Sequence, residues 1–296
     1  MNAMPNEPAS FSGESATCLK GFFSLCVLWH HISQKSMRFY ATNLGTIFQM
    51  MGYLSVAVFF FISGYGLMKS AAGGDTQYID RFPKSRLLTF YADVSIFTVI
   101  YIIANLVMFG MVDRVLIVKT LTYGGTIISN GWYFQVALIL YIVFYISFKI
   151  TQNDDKALFI CTAMVLVFCV LNFGFKQSQT LYESVLAFPM GMLFVFNDNL
   201  SKKMTSVRAV MPAAMFFIIT VVGEYLMRGS PMGIICKMIS ALTFVICVLC
   251  FHSFVSRTKV KKLMTDPMLK WLGNRSFEIY ARYMLFKDYS RILLKI

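Results

Sequence analysis

The residues best suited to chemistry lie in one apolar segment near the N-terminus, KGFFSLCVLWHHIS. The segment opens with Lys20 and closes with the adjacent histidines His30 and His31. A neutral imidazole accepts a proton from a hydroxyl group, so histidine is a common general base. On a helix, Lys20 and His31 lie about 16 Å apart along the axis, and adjacent residues diverge by about 100°. At most one of the two histidines can therefore face a given cavity, and a histidine within an apolar helix is as a rule a structural hydrogen-bonding residue, with a catalytic base as the alternative.

Basic residues form a second candidate site in the segment YIDRFPKSRLLTFY, which contains Arg81, Lys84 and Arg86. Arg and Lys side chains bind phosphate groups. They also anchor loops to anionic lipid headgroups. The spacing alone favours the anchoring role.

Other short motifs indicate packing. Ser63, Gly64 and Gly66 are small residues that let helices approach closely. Cys247 and Cys250 form a C-x-x-C within an apolar run that has no polar neighbours, so we expect no metal site and no disulfide. The sequence contains no H-E-x-x-H or G-x-S-x-G motif, which leaves histidine as the best available base.

Helices in a membrane must position these groups. Hydrophobic residues make up 57% of the chain and charged residues only 14%, whereas soluble domains carry about a quarter charged residues. We predict an all-α, polytopic membrane bundle of roughly nine or ten transmembrane helices. Residues 1–16 form a short disordered cytoplasmic lead and residues 17–296 a single membrane domain. The predicted spans lie near residues 18–35, 46–69, 88–110, 131–149, 157–174, 181–197, 207–227, 232–255 and 275–293, with an ambiguous polar stretch at 112–130.

The distribution of Lys and Arg predicts the orientation. With a cytoplasmic N-terminus, fifteen basic residues fall in inward loops (69–86, 149–156, 202–208 and 257–275) and six in outward loops (Lys35, Arg38, Arg114, Lys119, Lys176 and Arg228). Cytoplasmic loops are enriched in Lys and Arg, so the N-terminus is predicted to be cytoplasmic. The same bias explains the net charge of +13 without a nucleic-acid partner. Nine spans leave the C-terminus outside, and a tenth reverses the later loops against the charge distribution.

Several blocks together resemble the membrane acyltransferase-3 family, whose members O-acylate polysaccharides and related sugars. The spacing from Lys20 to His31 matches the basic residue and histidine of that family, with Lys in place of the usual Arg. The chain departs from the family pattern at Pro83, Thr89 and Tyr283. The further blocks follow in family order: Phe60–Phe61 with Ser63–Gly64, Arg86–Leu87–Leu88, Trp132–Tyr133–Phe134, Phe188 with Gly191 and Leu193, and Leu272–Gly273 with Ser276, Phe277, Glu278, Ile279 and Tyr280.

The resemblance implies an enzyme of the plasma membrane that moves an acyl group, such as acetyl, from acyl-CoA to a sugar hydroxyl of a polysaccharide or lipid-linked glycan. It implies no permanently bound cofactor, and its partners are membrane lipids and the glycan acceptor, in an oligomeric state that the sequence does not specify. A glycan or lipid transporter and a catalytically silent family member are the alternatives. The implied site residues are the base His31 with His30 beside it, basic residues for the CoA phosphates (Lys20, Arg81, Lys84 and Arg86) and supporting residues (Ser63, Trp132 and Glu278).

Overall fold

A computed structural model describes residues 11–34, 42–73, 77–111, 114–123, 130–151, 153–258, 262 and 265–293. The regular elements in these ranges are all helical, which confirms the predicted all-α class. Short π- or 3-10-helical turns occupy Pro83–Leu87, Gln179–Leu181 and Val207–Ala209. The α-helices are α1 (Gly13–Ser33), α2 (Asn43–Ala71), α3 (Tyr78–Phe82), α4 (Leu88–Phe109), α5 (Arg114–Tyr123), α6 (Trp132–Ile150), α7 (Asp154–Gly174), α8 (Ala187–Phe196), α9 (Asp198–Met204), α10 (Val210–Leu226), α11 (Pro231–Ser256), α12 (Pro267–Asn274) and α13 (Ser276–Leu293).

Within the described part of the chain, five helical segments are long and apolar enough to cross a membrane. They are Leu44–Ala71, Tyr78–Phe109, Trp132–Ile150, Asp154–Gly174 and Pro231–Ser256. A helix that spans a bilayer needs about 20 mainly apolar residues, and α8 and α10 are apolar but shorter than that. A helix overlaps each predicted span, but the predicted count of nine or ten spans is not confirmed.

Three predicted segments differ in detail. The expected span at 181–197 contains only the ten residues of α8, which cover about 15 Å. The ambiguous stretch at 112–130 contains α5, and its residues 124–129 lie outside the described part. α1 begins at Gly13 because the Ser12 side chain accepts a hydrogen bond from the Ser15 amide, so the end of the expected lead is helical. Residues 1–10 of that lead lie outside the described residues.

The chain divides into two compact units, and the first comprises Met1–Lys69 and Tyr182–Ser276. It contains α1, α2 and α8 to α12. Glycines allow α1 and α12 to touch backbone to backbone, because a Cβ on Gly21 would overlap the Leu269 carbonyl group and one on Gly273 would overlap the Thr17 carbonyl oxygen. This contact fixes the half of α1 that carries Lys20.

A second glycine pair joins α2 to α8 in the same unit. A Cβ on Gly64 would overlap the Phe188 carbonyl oxygen, and one on Gly191 would overlap the Phe61 carbonyl oxygen. Gly64 therefore has the packing role that the small-residue motif predicted. Gly66 does not share it, because a Cβ there would meet nothing within 4 Å.

The second unit comprises Ser70–Leu181 and Phe277–Ile296, and it is built around aromatic side chains. Its core consists of Val94, Tyr101, Phe134 and Met284. Phe277 at the start of α13 packs on Phe134 of α6, with ring centroids 4.8 Å apart. The late L-G-x-x-S-F-E-I-Y block thus contributes Gly273 to one unit and Phe277 to the other.

Candidate active site

Lys20 and His31 lie on the same face of α1. The helix is continuous from Gly13–Ser33, and eleven residues make three turns plus about 20°. Lys20, Ser24, Val27 and His31 therefore form one stripe, in which Lys20 is half-buried and the other three are buried. His30 lies about 80° from Lys20 around the helix. Position on α1 thus favours His31 as the histidine that works with Lys20.

His30 is held against α2. Its Nδ1 lies 2.9 Å from the carbonyl oxygen of Phe48. The imidazole covers Gly52, where a Cβ would come within 2.7 Å of two ring atoms. A larger residue than glycine at position 52 would displace the ring, so α2 is shaped to receive this histidine.

Gln34, which caps the C-terminal end of α1, contacts both histidines. Its Nε2 lies 3.0 Å from Nε2 of His30, and its Oε1 lies 3.4 Å from Nδ1 of His31. The two imidazole centroids are 4.9 Å apart. The divergence expected for adjacent helical residues therefore does not keep the rings apart, and they meet at one amide. We refer to His30, His31 and Gln34 as the histidine group.

Sequence reasoning missed Gln34. Residues three and four positions apart are neighbours on a helix, and Gln34 stands at these distances from His31 and His30. This spacing was the available indication. An exposed glutamine at a helix end is otherwise unremarkable, because it can be solvated without a partner.

A charged network in the first unit consists of Tyr53, Glu183, Glu224, Lys237 and Ser240. The Lys237 ammonium forms an ion pair of 2.7 Å with the buried Glu183 carboxylate and lies 4.8 Å from the Tyr53 ring centroid. The Tyr53 hydroxyl donates a hydrogen bond of 3.0 Å to Glu224 and lies 3.0 Å from the Ser240 hydroxyl. The network ties α2, α10 and α11 to the segment before α8. Lys237 was also missed, although a lone lysine early in an apolar helix indicates a buried partner.

The third histidine of the chain, His252, lies among aromatic rings. It is buried, and its ring packs edge-on against Phe11 with centroids 5.3 Å apart. Sequence reasoning did not single out this residue. Its surroundings indicate a packing role in the first unit.

In the second unit, the basic residues Arg81, Lys84 and Arg86 lie at a break in helical regularity. The π-helical turn Pro83–Leu87 separates α3 from α4, and the Leu88 amide donates to the Pro83 carbonyl. Proline lacks the N–H that an α-helical bond at this point requires, and π-turns are frequent at functional sites. All three basic side chains are exposed. They are accessible to a phosphate group or to lipid headgroups.

The remaining predicted residues occupy ordinary helical positions. Ser63 is half-buried on α2 of the first unit. Trp132 begins α6 in the second unit and is half-buried. Glu278 is exposed on α13, where its carboxylate lies 4.0 Å from the guanidinium of Arg282. None of these positions tests the supporting roles that the resemblance implies.

The length and apolar composition of five helical segments in the described part of the chain indicate a helical membrane protein. The chain belongs to the acyltransferase-3 family, because residues 14–295 match the family model, which is described as an acyltransferase domain. The resemblance drawn from separate sequence blocks is thereby confirmed over nearly the whole chain. No curated protein and no solved structure matches the chain.

Proposed function

We propose that the protein is a membrane O-acyltransferase that moves an acetyl group from acetyl-CoA to a hydroxyl of a cell-surface polysaccharide or lipid-linked glycan. The observation that supports this most is the placement of Lys20 and His31 on one stripe of α1, in a chain of this family. A cation and an imidazole about 16 Å apart suit a donor with a polyanionic head and a long, thin arm.

In the transfer step, His31 acts as the general base. Its Nε2 takes the proton of the acceptor hydroxyl while the hydroxyl oxygen attacks the carbonyl carbon of the thioester. The C–O bond to the sugar forms and the C–S bond to CoA breaks. The imidazolium then returns the proton to the departing thiolate, so the products are an acetylated sugar and free CoA.

Lys20 binds a phosphate of the donor in this proposal. Its ammonium is half-buried and, among the residues that the structure describes, has no carboxylate partner. A cation within an apolar helix bundle is costly unless it is compensated. A bound phosphate supplies that compensation, and we assign this role to the donor.

For the exposed residues Arg81, Lys84 and Arg86 of the second unit, the family resemblance implies phosphate binding. The predicted orientation places this segment at the cytoplasmic side of the plasma membrane, where acyl-CoA is available. Anchoring to anionic headgroups is the competing role for the same side chains. The two roles differ in what a substitution does to the Michaelis constant for the donor.

The experiment is an acyl-transfer assay with purified protein in lipid nanodiscs, acetyl-labelled acetyl-CoA and glycans extracted from cells that lack the protein. Labelled sugar esters, detected by mass spectrometry, are the expected result. Movement of glycan across proteoliposome membranes without labelling would instead establish the transporter alternative. Neither labelling nor movement, in folded protein, would establish the catalytically silent alternative.

A further inference from the structure

The histidine group forms a chain of hydrogen bonds with one fixed end. The chain runs from the Phe48 carbonyl oxygen to His30, then to the Gln34 amide, and then to Nδ1 of His31. A backbone carbonyl can only accept a hydrogen bond. Nδ1 of His30 must therefore carry a proton and donate a hydrogen bond to the Phe48 carbonyl oxygen.

The protonated Nδ1 of His30 determines which group donates and which accepts in the two hydrogen bonds of Gln34. In a neutral imidazole one nitrogen carries the proton and the other accepts, so Nε2 of His30 accepts from the Gln34 amide nitrogen, 3.0 Å away. The amide carbonyl oxygen of Gln34 must then face His31, at 3.4 Å from Nδ1. Since that oxygen only accepts, Nδ1 of His31 carries a proton, and Nε2 of a neutral His31 carries the lone pair.

We propose that His30 and Gln34 are positioning residues that hold His31 in the Nδ1-protonated tautomer, with Nε2 as the basic nitrogen. This inference rests on the proposed function, in which Nε2 accepts the proton of the acceptor hydroxyl. The two adjacent histidines then have different roles. His31 accepts the proton of the acceptor hydroxyl, whereas His30, fixed by its hydrogen bond to the Phe48 carbonyl, orients the Gln34 amide.

The same series of hydrogen bonds explains why a neutral amide stands at position 34. The side chain there must donate a hydrogen bond to His30 and accept one from His31, and an amide does both. A carboxylate at this position would accept from His31 but would have no proton for His30. Leucine would supply neither, although it fills a similar volume.

The test reads the tautomer directly. Purified protein labelled with ¹⁵N-histidine is examined in lipid nanodiscs by solid-state NMR, at a pH above about 8, where imidazoles are neutral. The chain has three histidines, and His30→Phe and His252→Phe each remove one set of resonances for assignment. Wild-type His31 is expected to carry its proton on Nδ1. Gln34→Leu is expected to mix the two tautomers, and Gln34→Glu is expected to retain Nδ1 protonation.

Activity provides the second measurement. Gln34→Leu is expected to lower kcat by about 10- to 100-fold, the range known for hydrogen-bond partners that orient metal-bound histidines, while the Michaelis constant for acetyl-CoA stays unchanged. Gln177→Leu, which removes an exposed glutamine of the second unit, is the matched control. Gln34→Glu is expected to keep more activity than Gln34→Leu.

The tautomer and the activity together distinguish failure of the positioning role from failure of the proposed function. A proton on Nε2 of wild-type His31, or a tautomer that Gln34→Leu leaves unchanged, overturns the positioning role whatever the activity. The expected tautomers in a protein that transfers no acetyl group overturn the proposed function, and with it the catalytic part of this inference.

Discussion

The histidine group and the charged network are both polar clusters of the first unit, but they differ in charge and in what they connect. The histidine group consists of two imidazoles and one amide at the end of α1, and it is bonded to the α2 backbone. The charged network contains two carboxylates and one ammonium, and together with Tyr53 it joins three helices. Neutral imidazoles can gain a proton without breaking an ion pair. A buried ion pair is instead lost when either partner is removed.

This contrast predicts that substitutions in the first cluster change the rate of acyl transfer, whereas those in the second change the stability of the fold. Substitutions in the basic segment are expected to change donor binding, and those at the glycine contacts are expected to change stability.

The largest effect is expected from His31→Ala. Removal of a general base lowers the rate by about 10²- to 10⁴-fold, while the protein still inserts and binds acetyl-CoA. The measurement is kcat for acetyl transfer, with donor binding measured separately. His252→Phe is the matched control, because it removes a buried histidine from aromatic surroundings and is expected to keep the wild-type rate. A strong loss of kcat in His252→Phe, with no loss in His31→Ala, would assign the general base to His252 and not to His31.

Lys237→Met is expected to act on stability. The buried Glu183 carboxylate loses its ion-pair partner at 2.7 Å, and breaking such a pair costs about 3–5 kcal/mol. The midpoint of thermal unfolding in detergent should fall, while the protein that remains folded keeps its kcat. The double variant Lys237→Met with Glu183→Leu should regain part of the loss, since an apolar pair can replace a buried ion pair. A wild-type midpoint combined with a large loss of kcat would move the charged network into the catalytic group.

Part of the difference between the two clusters could be predicted from the sequence. The side chains that contact the predicted residues could not. The apolar run and the spacing of Lys20 and His31 correctly predicted the helix that carries both residues. Lys237 was missed because its role depends on contacts that tertiary packing creates. Gln34 contacts both histidines within one helical turn, and only the bond from His30 to the Phe48 carbonyl depends on tertiary packing. Tertiary contacts also shorten the helix within the expected span at 181–197. Its first residues are held outside a helix by tertiary bonds, among them the 2.8 Å bond from the Ser184 hydroxyl to the Tyr53 carbonyl.

Arg86→Ala should affect the donor and leave the fold unchanged. A lost hydrogen bond between charged groups is worth about 1.5–3 kcal/mol, so the Michaelis constant for acetyl-CoA should rise about ten- to a hundredfold. Truncated thioester donors without the nucleotide head should be little affected. Lys156→Ala, which removes an exposed cation from the first turn of α7, is the control of equal charge. Equal losses with full and truncated donors would favour the anchoring role.

The smallest effect is expected from the glycine contact between α2 and α8. Gly64→Ala places a methyl group against the Phe188 carbonyl oxygen, and such overpacking costs about 1–3 kcal/mol. Gly66→Ala meets no atom within 4 Å and replaces a poor helix former, so it should leave stability unchanged or raise it by up to about 1 kcal/mol. Thermal unfolding of the two variants gives the comparison. Equal midpoints would remove Gly64 from the packing contact.

The measurement that tests the central claim most directly is chemical rescue of His31→Ala. Acetyl transfer from labelled acetyl-CoA to the glycan acceptor is followed in nanodiscs while imidazole is added. Because free imidazole can replace the missing base, the rate is predicted to rise with the concentration of neutral imidazole and to fall on acidification. Lys237→Met should show no such rise. A folded His31→Ala variant that transfers acetyl at the wild-type rate without imidazole would contradict the role of His31 as the base.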